Sequence, residues 1–183
     1  MAGSSFQFKQ FTVHQQGAAM KVGTDGVLLG AWAPVDGCAR ILDVGTGTGL
    51  LALMCAQRNA SAIIDAVEID AAAASQAAEN FAQSPWSQRL SVKHADVRDF
   101  ASQTQHRYDF VVCNPPFFVN SLHAPVKERN MARHDVHLPL TDLATASVDV
   151  LNEAGQIAVV LPPDQMAIFA GNLSGHGFLP SMY

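Results

Sequence analysis

The chain is short of charge, of basic charge above all, of cysteine and of any long apolar run. Only 15% of its 183 residues are charged, and 11 Lys and Arg face 16 Asp and Glu, a formal −5 at neutral pH. A protein that holds nucleic acid over its whole surface is basic, so that class is excluded and any RNA contact must come from a local patch. Cys38, Cys55 and Cys113 stand far apart and form no C-x-x-C pair, which excludes a zinc knuckle and a disulfide framework. Cys55 and Cys113 lie in apolar runs and read as small buried thiols. No stretch approaches eighteen apolar residues and residues 1–10 carry no apolar signal core, so the expectation is a cytoplasmic protein with no membrane contact.

What is present is enough apolar material, 49% of residues, for one ordinary core, and the expected organisation is a single domain over 1–183. Apolar runs at 40–44, 63–69, 90–94, 108–113 and 155–161 read as buried strands. Helices are expected at 26–33, 50–58, 71–81, 141–151 and 163–173. Strands alternating with helices predict a doubly wound, mostly parallel α/β sheet with helices on both faces. In such sheets ligands bind beyond the carboxyl ends of the strands, so the residues just after each strand carry the functional reading.

After the first of these strands comes Asp43-Val44-Gly45-Thr46-Gly47-Thr48-Gly49. Alternating glycines let the backbone turn sharply and approach a ligand, and point to a nucleotide-type site. Gly47, Gly49 and Ala52 also fit a dinucleotide fingerprint, but a carboxylate at Asp43 would repel a pyrophosphate and attract an ammonium group or orient the loop. Glu68, at the next strand end, can accept both hydroxyls of a ribose. Asp70 reads as the N-cap of the Ala-rich helix. Asp96 could accept from the amine of a cofactor adenine while the adjacent Val97 amide reads its ring nitrogen.

The sharpest signal is Asn114-Pro115-Pro116-Phe117. Two prolines fix the backbone and remove two donors, leaving the carbonyls of Asn114 and Pro115 free to accept. With the Asn114 amide oxygen and the flat face of Phe117, they suit a planar group bearing NH₂. Two acceptors would draw that nitrogen out of conjugation so that its lone pair can attack. Orientation and electrostatic stabilisation would be the catalytic contributions.

DVGTGTG, Glu68, Asp96 and NPPF, in this order and spacing, resemble the class I, Rossmann-like S-adenosylmethionine-dependent methyltransferases of the amino-group type. FKQFTV at 8–13, AMKVGTDGVLLGAWAPV at 19–35, GLLALM, IDAVEID, AAENFAQSPW and VVLP are further similar to the bacterial valine-tRNA (adenine-N(6))-methyltransferases. The resemblance implies S-adenosylmethionine as cofactor, S-adenosylhomocysteine as product and a tRNA partner, with no metal. It implies that Gly45, Gly47 and Glu68 hold the methionine and ribose parts, that Asp96 binds the adenine, and that Asn114 with Phe117 receives the target base. The expected cofactor-binding set further includes Asp43, Gly49, Val97 and Asn114, and the expected catalytic set Pro115. Lys21, Thr24 and Asp25 match an N-terminal element, 1–35, that folds over the cofactor above the 36–183 core. From the residues alone, Asp25 reads as the cap of the next helix.

Two departures from the family stand out. Phe117-Phe118 replaces a pair that is often tyrosine, and the chain ends at Tyr183 where the family continues into an antiparallel hairpin. The expectation is a fragment, or a protein lacking that hairpin, with an apolar sheet edge at 156–161 that invites association; a complete chain would be a monomer. In the segment 119–140, Lys127, Arg129 and Arg133 are the candidates for RNA phosphates, or equally a solvated charge run, while His123, His134 and His137 lack the spacing of a metal site. Alternatives with the same N-P-P-aromatic chemistry are a glutamine side-chain amide in a protein and a guanine amine in ribosomal RNA. A nicotinamide-dependent oxidoreductase would leave NPPF without a role. A non-catalytic RNA-binding module is the remaining class.

Overall fold

The structure is a computed structural model and describes residues 4–16, 20–116 and 138–179. The chain opens with an antiparallel pair, β1 (Ser5–Gln7) and β2 (Thr12–His14), followed by α1 (Thr24–Trp32). A parallel sheet then builds from β3 (Arg40–Val44), β4 (Ile63–Glu68), β5 (Leu90–His94), β6 (Tyr108–Cys113) and β7 (Leu151–Val159) in the spatial order β5-β4-β3-β6-β7. Between them lie α2 (Leu50–Arg58), α3 (Ala71–Ala82), α4 (Val97–Gln103) and α5 (Leu140–Val150), and α6 (Pro163–Ser174) follows β7.

Parallel strands are covered on both faces, and the burial shows it: Ile41 to Val44 and Phe110 to Cys113 are all buried. One face packs under α1, α2, α3 and the β1–β2 pair, the other under α4, α5 and α6. Every residue of α2 from Leu50 to Ala56 is buried, as its unbroken apolar run LLALMCA requires. The α1–α2 contact is close because Gly30 has no side chain; a Cβ there would come within 2.5 Å of the Met54 sulfur.

The predicted doubly wound parallel sheet is the observed one, with each central strand within a residue of its expected limits. Three features differ. The β1–β2 pair and α4 carry too little periodicity to be read from sequence, at three and seven residues. β7 begins at Leu151, earlier than position 155, because its register against β6 shifts between Tyr108 and Phe110 before settling at Gln156. α1 begins at Thr24 with Gly23 as N-cap and no side-chain cap bond, so Asp25 lies inside the first turn and is not the cap. At the outer edge, β7 pairs with β6 alone among the described residues.

Candidate functional site

The glycine turn leaves the carboxyl end of β3. Its entry is fixed by the Gly45 and Thr46 amides, which donate to the Val67 carbonyl at 2.8 and 3.2 Å. Gly45, Gly47 and Gly49 have φ of 67°, 57° and 85°, a left-handed conformation that disfavours any side chain. Their surroundings separate their purposes. A Cβ on Gly45 or Gly47 would meet nothing within 4 Å, so those two present bare backbone to open space. A Cβ on Gly49 would collide with the Phe81 ring at 2.5 Å, so Gly49 serves the packing of α2 on α3.

Two carboxylates hold this turn from below. Asp43 is fully buried, and its Oδ2 accepts from the Thr46 hydroxyl at 2.6 Å and from the Ala52 amide at 3.0 Å. Burial pushes its pKa up to about 7, against the opposing pull of those two hydrogen bonds, and its Oδ1 has no partner among the described residues. Glu68, at the end of β4, accepts from the Gly47 amide with Oε2 at 2.8 Å and from the Asp70 amide with Oε1 at 2.9 Å. Each of its oxygens keeps a second lone pair for a hydroxyl. Asp70 caps α3 through the Ala73 amide, as its position predicts.

Asp96 stands one strand further out, at the head of α4. It caps that helix through the Arg98 amide and pairs with the Arg98 guanidinium, whose hydrogen bonds hold its pKa below the usual carboxylate value. Val97 beside it is buried in the core under α4.

Asn114 follows β6, and since Val44 pairs with Cys113, it lies level with Gly45 at the same end of the sheet. The alternation of β6 puts it on the α1–α2 face, as it does Asp43 on the neighbouring strand. A Cβ at Gly26 of α1 would come within 3.4 Å of the Asn114 amide nitrogen and 3.2 Å of Leu50, so the head of α1 sits directly on Asn114. The Asn114 Oδ1 is buried and has no partner among the described residues. Pro115 is half-buried and Pro116 exposed, and the ladder ends at Cys113 for want of N–H groups. Burial drives the Cys113 thiol far up and the Cys55 thiol up to about 12, so neither is a nucleophile near neutral pH. Lys21, Thr24 and Asp25 are exposed at the start of the element that covers this end. Phe117, Lys127, Arg129 and Arg133 lie outside the described residues, as do His123, His134 and His137.

Four features of the site have no reading from sequence. Thr46 and Gly26 are small residues among many. Asn80, in the last turn of an Ala-rich helix, is 1% exposed and donates to the Thr48 carbonyl of the glycine turn at 2.8 Å. The pairing of FKQF with QSPW is aromatic: Phe8 stacks on Phe11 at 4.5 Å, and Phe11 meets Trp86 edge-on at 5.6 Å.

Residues 27–167 match the model of the methyltransferase small domain family. The chain belongs to that family. This methyltransferase is 49% identical over 182 residues to the tRNA1(Val) (adenine(37)-N6)-methyltransferase of Bacteroides fragilis, a match covering 99% of this chain and 76% of that protein. It is 53% identical over 165 residues to the enzyme of the same name from Bacteroides thetaiotaomicron, covering 90% of this chain and 69% of that one. Among solved structures, the ribosomal protein L11 methylase of Lactobacillus delbrueckii subsp. bulgaricus superposes with a TM-score of 0.61 at 20% identity, covering 87% of this chain and 72% of that one. At that identity the likeness concerns the fold. The methyltransferase is thus an α/β enzyme of the Rossmann-like type, as its strand and helix rhythm predicts, and among its described residues no helix is long and apolar enough to cross a membrane.

Proposed function

We propose that this methyltransferase transfers a methyl group from S-adenosylmethionine to the exocyclic amine of an adenine in tRNA, beside the anticodon of a valine tRNA. The names of the matched relatives support the substrate, and the single observation that carries the chemistry is Asn114. Its amide oxygen is buried, without a partner among the described residues, and level with a glycine turn of bare backbone. A buried polar atom without a partner costs about 1–3 kcal/mol, and a site that bears this cost is one that a ligand donor relieves.

The cofactor fits the donors and spaces present. Gly45 and Gly47 offer backbone with open space above it, Glu68 retains lone pairs for hydroxyls, and Asp43 braces the turn from below through Thr46 and Ala52. Asp96 and the Val97 amide are assigned to the adenine end, and Lys21, Thr24 and Asp25 to the cover. When bound, S-adenosylmethionine supplies an electrophilic methyl group on a sulfonium sulfur.

The chain's own part is to present the nucleophile. The Asn114 oxygen and the Pro115 carbonyl accept the two amine hydrogens of the target base, which turns its lone pair out of the ring system. Because the nitrogen becomes cationic, these two acceptors stabilise the charge as it develops. No general base is required first, and the proton leaves afterwards to water. Phe117 is assigned as the flat surface for the base. Lys127, Arg129 and Arg133 are assigned to RNA phosphates, and the work of the enzyme on tRNA places it in the cytoplasm.

The test is mass spectrometry of unmodified tRNA after incubation with enzyme and methyl-labelled cofactor. One labelled N(6)-methyladenine in the anticodon loop is expected. Label on guanine, or on a protein acceptor with none on tRNA, would overturn the assignment.

A further inference from the structure

Asn80 uses its whole side chain to join two segments that are distant in sequence. Its Oδ1 accepts from the His14 amide at 2.9 Å, and its Nδ2 donates to the His14 carbonyl at 2.8 Å and to the Thr48 carbonyl at 2.8 Å. His14 lies 66 residues away in the chain and Thr48 32 residues away. The first two bonds imitate a neighbouring strand, so α3 grips the backbone of β2 as a sheet edge would. The third reaches the glycine turn just before Gly49. With its oxygen accepting and both N–H groups donating at 1% exposure, the amide is satisfied in one orientation only.

The connection continues beyond β2. Gln15, adjacent to His14 and also buried, accepts with Oε1 from the Val22 amide at 2.9 Å. Val22 leads within two residues into α1, and Gly26 of α1 rests on Asn114 and Leu50. Phe11, on which Phe8 stacks, meets Trp86 edge-on and so fixes the same hairpin to the segment that follows α3. A continuous set of short hydrogen bonds and one close backbone contact therefore runs from the turn that takes the cofactor to the side chain that takes the amine.

We propose that Asn80 is a positioning residue that couples the glycine turn, through β2 and Gln15, to the head of α1 and so to Asn114. The proposal rests on reading the glycine turn as the cofactor site. Its consequence is that filling the turn stiffens the 21–26 segment over Asn114, so cofactor binding prepares the seat of the target amine.

Hydrogen exchange of the full chain, read by mass spectrometry with and without S-adenosylhomocysteine, tests it. In the unsubstituted protein, the ligand should slow exchange at both 45–49 and 21–26. In Asn80→Ala the protection at 45–49 should persist, with ligand affinity within about tenfold, while protection at 21–26 drops to the unliganded level. Turnover should fall more than tenfold with little change in KM for the cofactor. Gln15→Ala leaves Asn80 in place and should show the same uncoupling, which carries the test should Asn80→Ala fail to fold. Unchanged protection at 21–26 in either folded variant overturns the coupling alone. A turn that S-adenosylhomocysteine does not protect in the unsubstituted protein overturns the cofactor reading, and the coupling with it.

Discussion

Asp43 caps a helix it does not belong to: from the end of β3 its carboxylate accepts the Ala52 amide at 3.0 Å, the third position of α2. The N-cap of α2 is Gly49, in a left-handed conformation and with no side chain to offer. A side-chain acceptor at a helix start contributes about 1 kcal/mol. Here it is supplied across the turn, which leaves the glycine free to meet Phe81.

That arrangement has a pH signature. Asp43 holds its proton to about pH 7 in the fold and to roughly pH 4 in the unfolded chain. Between those values the folded state binds the extra proton, so this group makes stability fall as pH rises from about 4 to about 7. Asp96, whose pKa is lowered by the Arg98 hydrogen bonds, acts in a separate window, losing its contribution as pH falls below about 4. Asp43→Asn should therefore flatten the melting temperature between pH 5 and pH 7 relative to the unsubstituted protein. Parallel curves for the two would contradict the assignment.

The glycines should divide by what surrounds them. Gly47→Ala strains the backbone by about 1 kcal/mol but meets open space, so its melting temperature should move little while cofactor affinity falls at least tenfold. Gly49→Ala adds a collision with Phe81 to the same strain and should lose several degrees of melting temperature. Calorimetry and a binding titration on the pair read both quantities.

Glu68→Gln is a harsher change than its size suggests. Both carboxylate oxygens accept backbone amides, from Gly47 and Asp70, and a glutamine has one acceptor oxygen for two donors. One N–H would face an NH₂. A loss of about 1–3 kcal/mol in stability is expected, along with weaker cofactor binding. A fully stable variant with only a binding defect would show that the carboxylate does not brace the turn.

Asn114→Ala and Asp96→Ala should fail in opposite ways. Asn114 Oδ1 has no partner to lose among the described residues, so its removal should leave melting and cofactor affinity nearly unchanged and lower turnover about 10²–10³-fold. Removing Asp96 should first weaken cofactor binding and cost about 1 kcal/mol through the lost cap of α4. Its pair with the half-exposed Arg98 adds little to stability. Equal loss of binding and turnover in both variants would refute the division of roles.

The sheet was legible because its strands are buried on both faces and read as unbroken apolar runs. The strand-end residues Asp43, Glu68 and Asn114 were legible because that fold puts ligands at that end. Asn80 was hidden: an asparagine in an Ala-rich helix looks like a surface residue until β2 and the glycine turn arrive from 66 and 32 residues away. The exposed β1 is three residues long, too short for its Ser5-Phe6-Gln7 alternation to announce a strand. Asp96 was read as a ligand acceptor alone, because its second task as cap of α4 needs a helix of only seven residues that local pattern does not announce.

The strand order also sets a timetable. β3, β4 and β5 with α2 and α3 complete one side of the sheet by residue 94, whereas the other side awaits β6 at 108. The two sides meet along one seam, β3 against β6, and Gly45 and Asn114 flank it. A growing chain thus acquires its glycine turn a full half-sheet before Asn114. During that interval β3 exposes one bare flank, and any intermediate paused there would be able to associate through it without yet being able to perform chemistry.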